Sequence, residues 1–265
     1  MKQEKTRVLE HNHLIGDYRI LTLFAPEIGP LVLPGQFLEL LVPHLTDAVL
    51  RRPFSIFKAD FETVSILYKV VGKGTNSMKG LSRDDVVDVF GPLGNGFPTA
   101  KKECYPVLAA GGYGSAALYL QAKALPDKGT VFLGGRSSID ILCVEEFKDL
   151  GWDVQIATED GSQGTTGLIT DIFDKWLAAR HTSDESRRPI ELFACGPEGM
   201  LRAMGKRAEK NEFTAWLSMD RHMACGVGVC LTCVIKKKEQ EDGWQWTRCC
   251  KDGPIFESRE ILWDE

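Results

Sequence analysis

No stretch of this 265-residue chain approaches the ~20 consecutive apolar residues that a membrane-spanning helix requires. The opening MKQEKTRVLEHNHL also lacks the apolar centre of a secretory signal. The expectation is a cytoplasmic protein with no membrane partner. Neither sign of charge dominates: 32 Lys and Arg stand against 37 Asp and Glu, for a net charge of −5. The basic patch or stripe that nucleic acid demands is missing, so no nucleic-acid partner is expected. The one basic run, Lys236 to Lys238, is followed by Glu239, Glu241 and Asp242 and reads as a solvated turn. Histidine is scarce, with five in all. None stands in an H-E-x-x-H pattern or beside a nucleophile motif, which leaves metal hydrolases and catalytic triads little support. Internal repeats and low-complexity segments are absent. What remains is a chain 43% hydrophobic and 26% charged, long enough to bury roughly three quarters of its unfolded surface.

Cysteine is not scarce. Of eight, Cys104, Cys143 and Cys195 are scattered, while Cys225, Cys230, Cys233, Cys249 and Cys250 crowd the end of the chain. Cytosolic thiols are kept reduced, which disfavours a disulfide, and clustering of this kind suggests a metal site. The spacing Cys225-x4-Cys230-x2-Cys233, with Cys250 further on, matches the plant-type two-iron pattern. Gly226 and Gly228 would let the backbone curl around a [2Fe–2S] cluster without a Cβ clash. Zinc more often takes two short-spaced pairs, and here the second pair would be the neighbours Cys249 and Cys250, which rarely both reach one ion. Zinc and free thiols stay as alternatives. A Rieske centre needs two histidines, and His222 alone does not supply them. Adjacent side chains in an extended segment point to opposite faces, so only one of Cys249 and Cys250 is expected to be a ligand. Cys250 leads into Lys251-Asp252-Gly253-Pro254, a turn able to fold back over the cluster.

Three parts are expected. Residues 1–98 contain short apolar runs bounded by Pro and Gly (YRILTLFAP, QFLELLVP, TVSILYKVV, DVVDVFGPLG), the pattern of a small antiparallel barrel or sandwich. Residues 99–214 alternate strand and helix patterns, which predicts βαβ units and a parallel sheet; the helices fall on SAALYLQAKAL, a short piece of IDILCVEEFKDL, LITDIFDKWLAARH and EGMLRAMGKRAEKN. HTSDESRRP between them reads as a surface loop. Residues 215–265 form a cysteine-rich tail near the size at which a metal centre is needed for stability.

Within the first part, RRPFSIF places Arg52 and Ser55 on one strand. An arginine can hold a pyrophosphate bidentately, a serine hydroxyl can bond a flavin ring nitrogen, and Pro53 removes a ladder donor and marks an edge or break. GKGT, with Gly74 and Thr75, opens a helix in the manner of a phosphate cradle. A surface arginine and an ordinary loop are the plainer readings. In the second part, AAGGYGSAA follows a strand and opens a helix, as a dinucleotide turn does, with Gly111, Gly112 and Gly114. ACGPEGM repeats that geometry with Cys195, Gly196 and Pro197, and would put Cys195 at a carboxyl strand end, where open α/β sheets bind ligands.

RRPFSI, GKGT, GPLGNGF, CGPEGML, MACGVGVCLTC and CKDGPIF, in this order over essentially the whole chain, resemble the electron-transfer subunit of B-type, NAD-linked dihydroorotate dehydrogenase, within the ferredoxin reductase superfamily. The resemblance implies FAD on a barrel, touched by Arg52, Pro53, Phe54 and Ser55, by Leu67, Tyr68 and Lys69, and by Gly74 and Thr75. It implies NAD at Gly111, Gly112, Gly114, Cys195, Gly196 and Pro197, with Ser55 and Cys195 at the reacting centre. Cluster ligands would be Cys225, Cys230, Cys233 and Cys250. It further implies an FMN-containing dihydroorotate dehydrogenase catalytic subunit as partner, two of each chain in a heterotetramer. A related diaphorase subunit serving a hydrogenase or a ferredoxin–NADP complex is the nearest alternative, and a zinc-binding adaptor is another. The family's nucleotide loop usually reads G-G-G-x-G-x-A-P, where this chain has Ala110 and Ala117, so added bulk is expected near the phosphates. Arg136 at the end of TVFLGGRSS suits a 2′-phosphate as well as a ribose hydroxyl, so NAD over NADP follows from the resemblance.

Overall fold

The computed structural model describes residues 1–43, 45, 49–180, 188–239 and 243–263. Its first six strands are β1 (Lys2–Ile15), β2 (Tyr18–Phe24), β3 (Phe37–Leu41), β4 (Arg52–Ala59), β5 (Thr63–Lys69) and β6 (Val86–Leu93). They close into a barrel in the order β1-β2-β5-β4-β3-β6, every pairing antiparallel. Period-2 alternation sends Leu21, Leu23, Leu38, Leu40, Ile66 and Val89 inward to one apolar core. The helix α1 (Lys73–Met78) starts at Gly72, as GKGT predicts. β1 has no counterpart among the sequence expectations, because its residues are mostly polar and exposed.

The second layer begins with β7 (Tyr105–Gly111), α2 (Gly114–Ala124), β8 (Thr130–Gly135), α3 (Val144–Asp149) and β9 (Asp153–Thr158). It continues through β10 (Thr165–Thr166), α4 (Ile169–Arg180), β11 (Ile190–Cys195), α5 (Glu198–Lys210) and β12 (Thr214–Ser218). The last strands are β13 (Val234–Lys238), β14 (Trp244–Arg248) and β15 (Ile255–Glu257). The sheet order is β10-β9-β8-β7-β11-β12-β15, with β15 alone antiparallel to its neighbour. Aromatic packing between Phe132 on β8 and Phe173 and Trp176 on α4, at 5.3 and 5.4 Å, fills one face. On the other, α2 lies against the barrel at β4, where Phe57 and Tyr119 meet edge to face at 5.2 Å. No helix among the described residues is long and apolar enough to cross a membrane.

Three details differ from the sequence reading. Lys236 to Lys238 do not form a turn: they are the second half of β13, paired with β14, because Ile235 and Thr247 give that hairpin a buried side. The short helix expected in IDILCVEEFKDL is present as α3 but begins only at Val144, after Cys143 at φ 63°, and the first residues of that segment close a 3-10 turn at Ser138–Asp140. The strand β12 spans residue 215, and β15 comes back from the tail to join it. Of the expected surface loop at 181–189, residues 181–187 lie outside the described residues.

Candidate functional site

Arg52, Pro53, Phe54 and Ser55 occupy the first half of β4, hydrogen-bonded to β3 through the pairs Leu40–Arg52, Glu39–Pro53, Leu38–Phe54 and Phe37–Ser55. On the other side, β4 pairs with β5 only from Ile56 onward, so this half-strand faces an opening in the ladder, as Pro53 predicts. Across the opening, Tyr68 packs edge to face on Phe54 at 5.8 Å. The Tyr68 hydroxyl is 2.9 Å from His11 Nε2, and burial pushes the phenol up to about 12. A Cβ on Gly74 would lie 3.4 Å from Arg52 Nε, so the first turn of α1 and the Arg52 guanidinium share one corner. Thr75 is occupied locally: its Oγ1 accepts the N–H groups of Val71 and Gly72 at 2.9 and 3.1 Å. Leu67 is buried. Lys69 reaches across to the α/β layer, where its Nζ donates to Asp140 Oδ1 at 3.1 Å beside the 2.7 Å bond from the Tyr18 hydroxyl.

The loops after β7 and β11 meet, which draws the nucleotide-site candidates together. A Cβ on Gly111 would lie 2.6 Å from Pro197 Cδ, one on Gly196 2.9 Å from Gly111 N, and one on Gly114 against the Cys195 carbonyl. Only glycine permits this approach. The Cys195 thiol, pushed up to about 12 by burial, stays protonated and presents a neutral surface. Gly112 faces the barrel, with Tyr18 Oη 3.6 Å from where its Cβ would be. Ala110 lies inside β7 and Ala117 inside α2, both packed in the core.

The four expected cluster cysteines come as two pairs. The thiols of Cys225 and Cys230 are hydrogen-bonded to each other, as are those of Cys233 and Cys250. Burial alone would raise the Cys225 thiol, but N–H groups from Cys230, Val227 and Val229 and the Cys230 thiol outweigh it and hold it at about 6. The Val229 N–H to Cys225 Sγ distance is 3.3 Å, and the Cys250 N–H donates to Cys233 Sγ at 3.4 Å. Cys249 is wholly buried in the core, its thiol pushed up to about 12 by that burial. Among the described residues no three His, Cys, Asp or Glu converge on one ion position. Two sulfur pairs with backbone amides aimed at them suit a two-iron cluster, in which each iron takes two cysteines.

One functional candidate escaped the sequence reading. Glu39, in the middle of β3, is 1% exposed, and neither carboxyl oxygen has a hydrogen-bond partner among the described residues. Gly226, at φ 65°, packs on it: a Cβ there would fall 2.8 Å from Glu39 Cγ. The cysteine loop thus rests directly on the strand that pairs with RRPFS. The available signal was an acid flanked by apolar residues on both sides in QFLELL.

A closed antiparallel barrel, a nucleotide-type sheet and a paired-cysteine loop wedged against both define an electron-transfer oxidoreductase of the ferredoxin reductase type. The iron–sulfur cluster binding domain of dihydroorotate dehydrogenase B matches residues 220–262. The dihydroorotate dehydrogenase B (NAD(+)) electron transfer subunit of Fusobacterium nucleatum is 32% identical over 98% of this chain and 99% of its own length. That of Geobacillus kaustophilus is 36% identical over 91% of each. The chain belongs to the dihydroorotate dehydrogenase B electron transfer subunit family. Among solved structures, an NADH-dependent reduced ferredoxin–NADP oxidoreductase superposes with a TM-score of 0.84 at 26% identity, over 98% of this chain and 90% of that one. The ferredoxin reductase of carbazole 1,9a-dioxygenase shares the fold at 19% identity, with a TM-score of 0.65 over 79% of this chain and 65% of its own. Family and fold make the protein a flavoprotein oxidoreductase subunit that works with FAD, NAD and an iron–sulfur cluster.

Proposed function

We propose that this chain takes electrons from the FMN of a dihydroorotate-oxidising catalytic subunit at a [2Fe–2S] cluster, and delivers them through FAD to NAD in the cytoplasm. The division of labour would follow residues 1–98 for flavin, 99–214 for nicotinamide nucleotide and 215–265 for the cluster, with two copies of each subunit in the assembly. Bound flavin supplies the junction, since it accepts electrons singly and gives up a hydride. Arg52 would hold the flavin pyrophosphate beside Gly74, with Pro53 leaving the ladder open for it. Phe54, Ser55, Leu67, Tyr68 and Lys69 would frame the ring, Ser55 offering its exposed hydroxyl, and Thr75 would close the loop behind. Gly111, Gly112 and Gly114 would admit the dinucleotide, and Cys195, Gly196 and Pro197 would present a neutral, closely packed edge to the nicotinamide. Cys225 with Cys230, and Cys233 with Cys250, would ligate the cluster.

The observation that carries this reading is the contact of Gly226 with Glu39: the cysteine loop rests on β3, the strand paired with the expected flavin strand β4, which gives electrons a short route between them. The isolated holo-chain is expected to oxidise NADH with an artificial acceptor and leave dihydroorotate untouched. Adding the catalytic subunit is expected to restore dihydroorotate-to-NAD transfer. A preference for NADPH, or indifference to that subunit, would move the protein to the diaphorase reading that the 26% identical ferredoxin–NADP oxidoreductase relative represents.

A further inference from the structure

The hairpin of β13 and β14 has two unlike faces. Ile235 and Thr247 point toward the body of the protein and are buried, and Lys237 on the same side pairs with Glu260 at 3.1 Å. The opposite face carries Lys236 across from Trp246, and Lys238 across from Trp244. The two indoles stack edge to face at 5.2 Å yet remain 47% and 56% exposed. Lys236 Nζ lies 5.3 and 5.8 Å from their ring centroids. Two tryptophans left this open on one strand are costly in water, since each offers roughly 150–250 Å² of apolar surface.

This face does not end at the hairpin. Arg248, two residues beyond Trp246 and on the same side, donates to the Gly228 carbonyl in the cluster loop at 3.3 Å. Beyond Gly228 the loop exposes Val229 at 79% and Leu231 at 60%, the latter held at φ 59°. One continuous surface therefore runs from the cluster's outer edge, over Arg248, to the paired indoles. We propose that this face is the docking anchor for the electron-donating catalytic subunit, with Trp244 and Trp246 filling its pockets. This rests on the proposed function. A protein passing electrons to the cluster must approach its exposed edge, and the tryptophans are continuous with that edge. Trp and Arg are also the side chains that most often dominate interface energetics. The face presents two lysines, Lys236 and Lys238, beside the indoles, whereas the Arg248 guanidinium is paired with Asp252 at 2.8 and 3.0 Å. The partner should accordingly carry acidic groups around the entrance to its own flavin.

The test titrates holo-protein with the dihydroorotate-oxidising subunit and measures Kd for wild type, Trp246→Ser, Trp244→Ser with Trp246→Ser, and Lys238→Glu. Trp246→Ser is expected to raise Kd by at least about thirtyfold, and the double variant by more. Lys238→Glu is expected to slow association, most strongly at low salt. Visible absorbance of cluster and flavin and NADH oxidation by an artificial acceptor should stay at wild-type levels in all three, since none of these side chains is among those expected to hold a cofactor. Unchanged Kd in the double variant overturns the proposal while leaving the proposed function intact. Failure of the wild-type chain to bind that subunit overturns both. Self-association of the wild type that the double variant abolishes assigns the face to a second copy of this chain instead, and also overturns it.

Discussion

Glu39 gives the sharpest quantitative handle on this architecture. Its carboxyl is raised to about 7, chiefly by burial, with Arg51 and Arg52 pulling it down and the charge at Cys230 pushing it up. The ordinary value is 4.5, so the folded state holds a proton that the unfolded state has released throughout the interval between. With more protons bound when folded, stability falls as pH rises from about 4.5 to about 7 and levels off above that. A difference of about 2.5 units corresponds to about 3 kcal/mol, most of it lost between about pH 4.5 and about pH 7. Glu39→Gln keeps the shape and removes the ionisation. Urea unfolding of wild type and variant in parallel, at constant ionic strength across that pH range, isolates the effect, because every other titrating group is common to both. The variant should gain on the wild type progressively with pH, by about 2–3 kcal/mol in total. Parallel curves with no pH-dependent gap would refute the inference that this carboxyl is buried without a partner.

The other expectations concern the cofactor positions. Cys250→Ser should lose most of the iron and the visible cluster bands, while Cys249→Ser should keep both; iron assay and absorbance decide, and the reverse result shifts the fourth ligand by one residue. Arg52→Ala should weaken flavin retention by about 1.5–3 kcal/mol, more than about tenfold, through loss of a charge-assisted contact to pyrophosphate; unchanged flavin content after dialysis would remove Arg52 from the site. Gly226→Ala should cost about 1–2 kcal/mol from its left-handed backbone alone, with further loss from contact with Glu39, read as lower thermal stability and lower iron content; a variant as stable and iron-replete as wild type would separate the cysteine loop from β3.

Chemistry that needs particular residue types at a particular spacing was legible in the sequence. RRPFS lies on a strand whose ladder is open on one side and GKGT begins a helix, because a broken ladder and a helix start each constrain several neighbouring residues at once. What escaped was set by contacts between distant segments. Lys2–Ile15 carries no apolar strand pattern because its strand character comes from pairing with β2 and β6. Lys236 to Lys238 read as a turn from charge alone, whereas the buried Ile235 beside them is what makes the hairpin. Ala110 and Ala117 look obstructive in a linear motif, and the packing that puts both among the buried core residues leaves no local signal. The link from Lys69 and Tyr18 to Asp140 joins residues 71 and 122 positions apart and leaves no local signature.

The role of KDGPIF also follows from distant contacts. Asn95, just after β6, bridges to Pro254 and donates to this turn: its backbone N–H reaches the Gly253 carbonyl at 2.6 Å and its side-chain amide the Asp252 carbonyl at 3.0 Å. On the other flank, the Met219 N–H donates to the Pro254 carbonyl at 2.9 Å, and Ile255 then enters β15 against Ser218. The turn after Cys250 is therefore fastened to the barrel at one end and to the α/β sheet at the other. A cysteine tail on a free linker would sample many separations from the flavin strand. This one is stitched into both neighbours within five residues of its last expected ligand, so the position of the cysteine loop relative to the barrel is fixed by the same hydrogen bonds that complete the sheet.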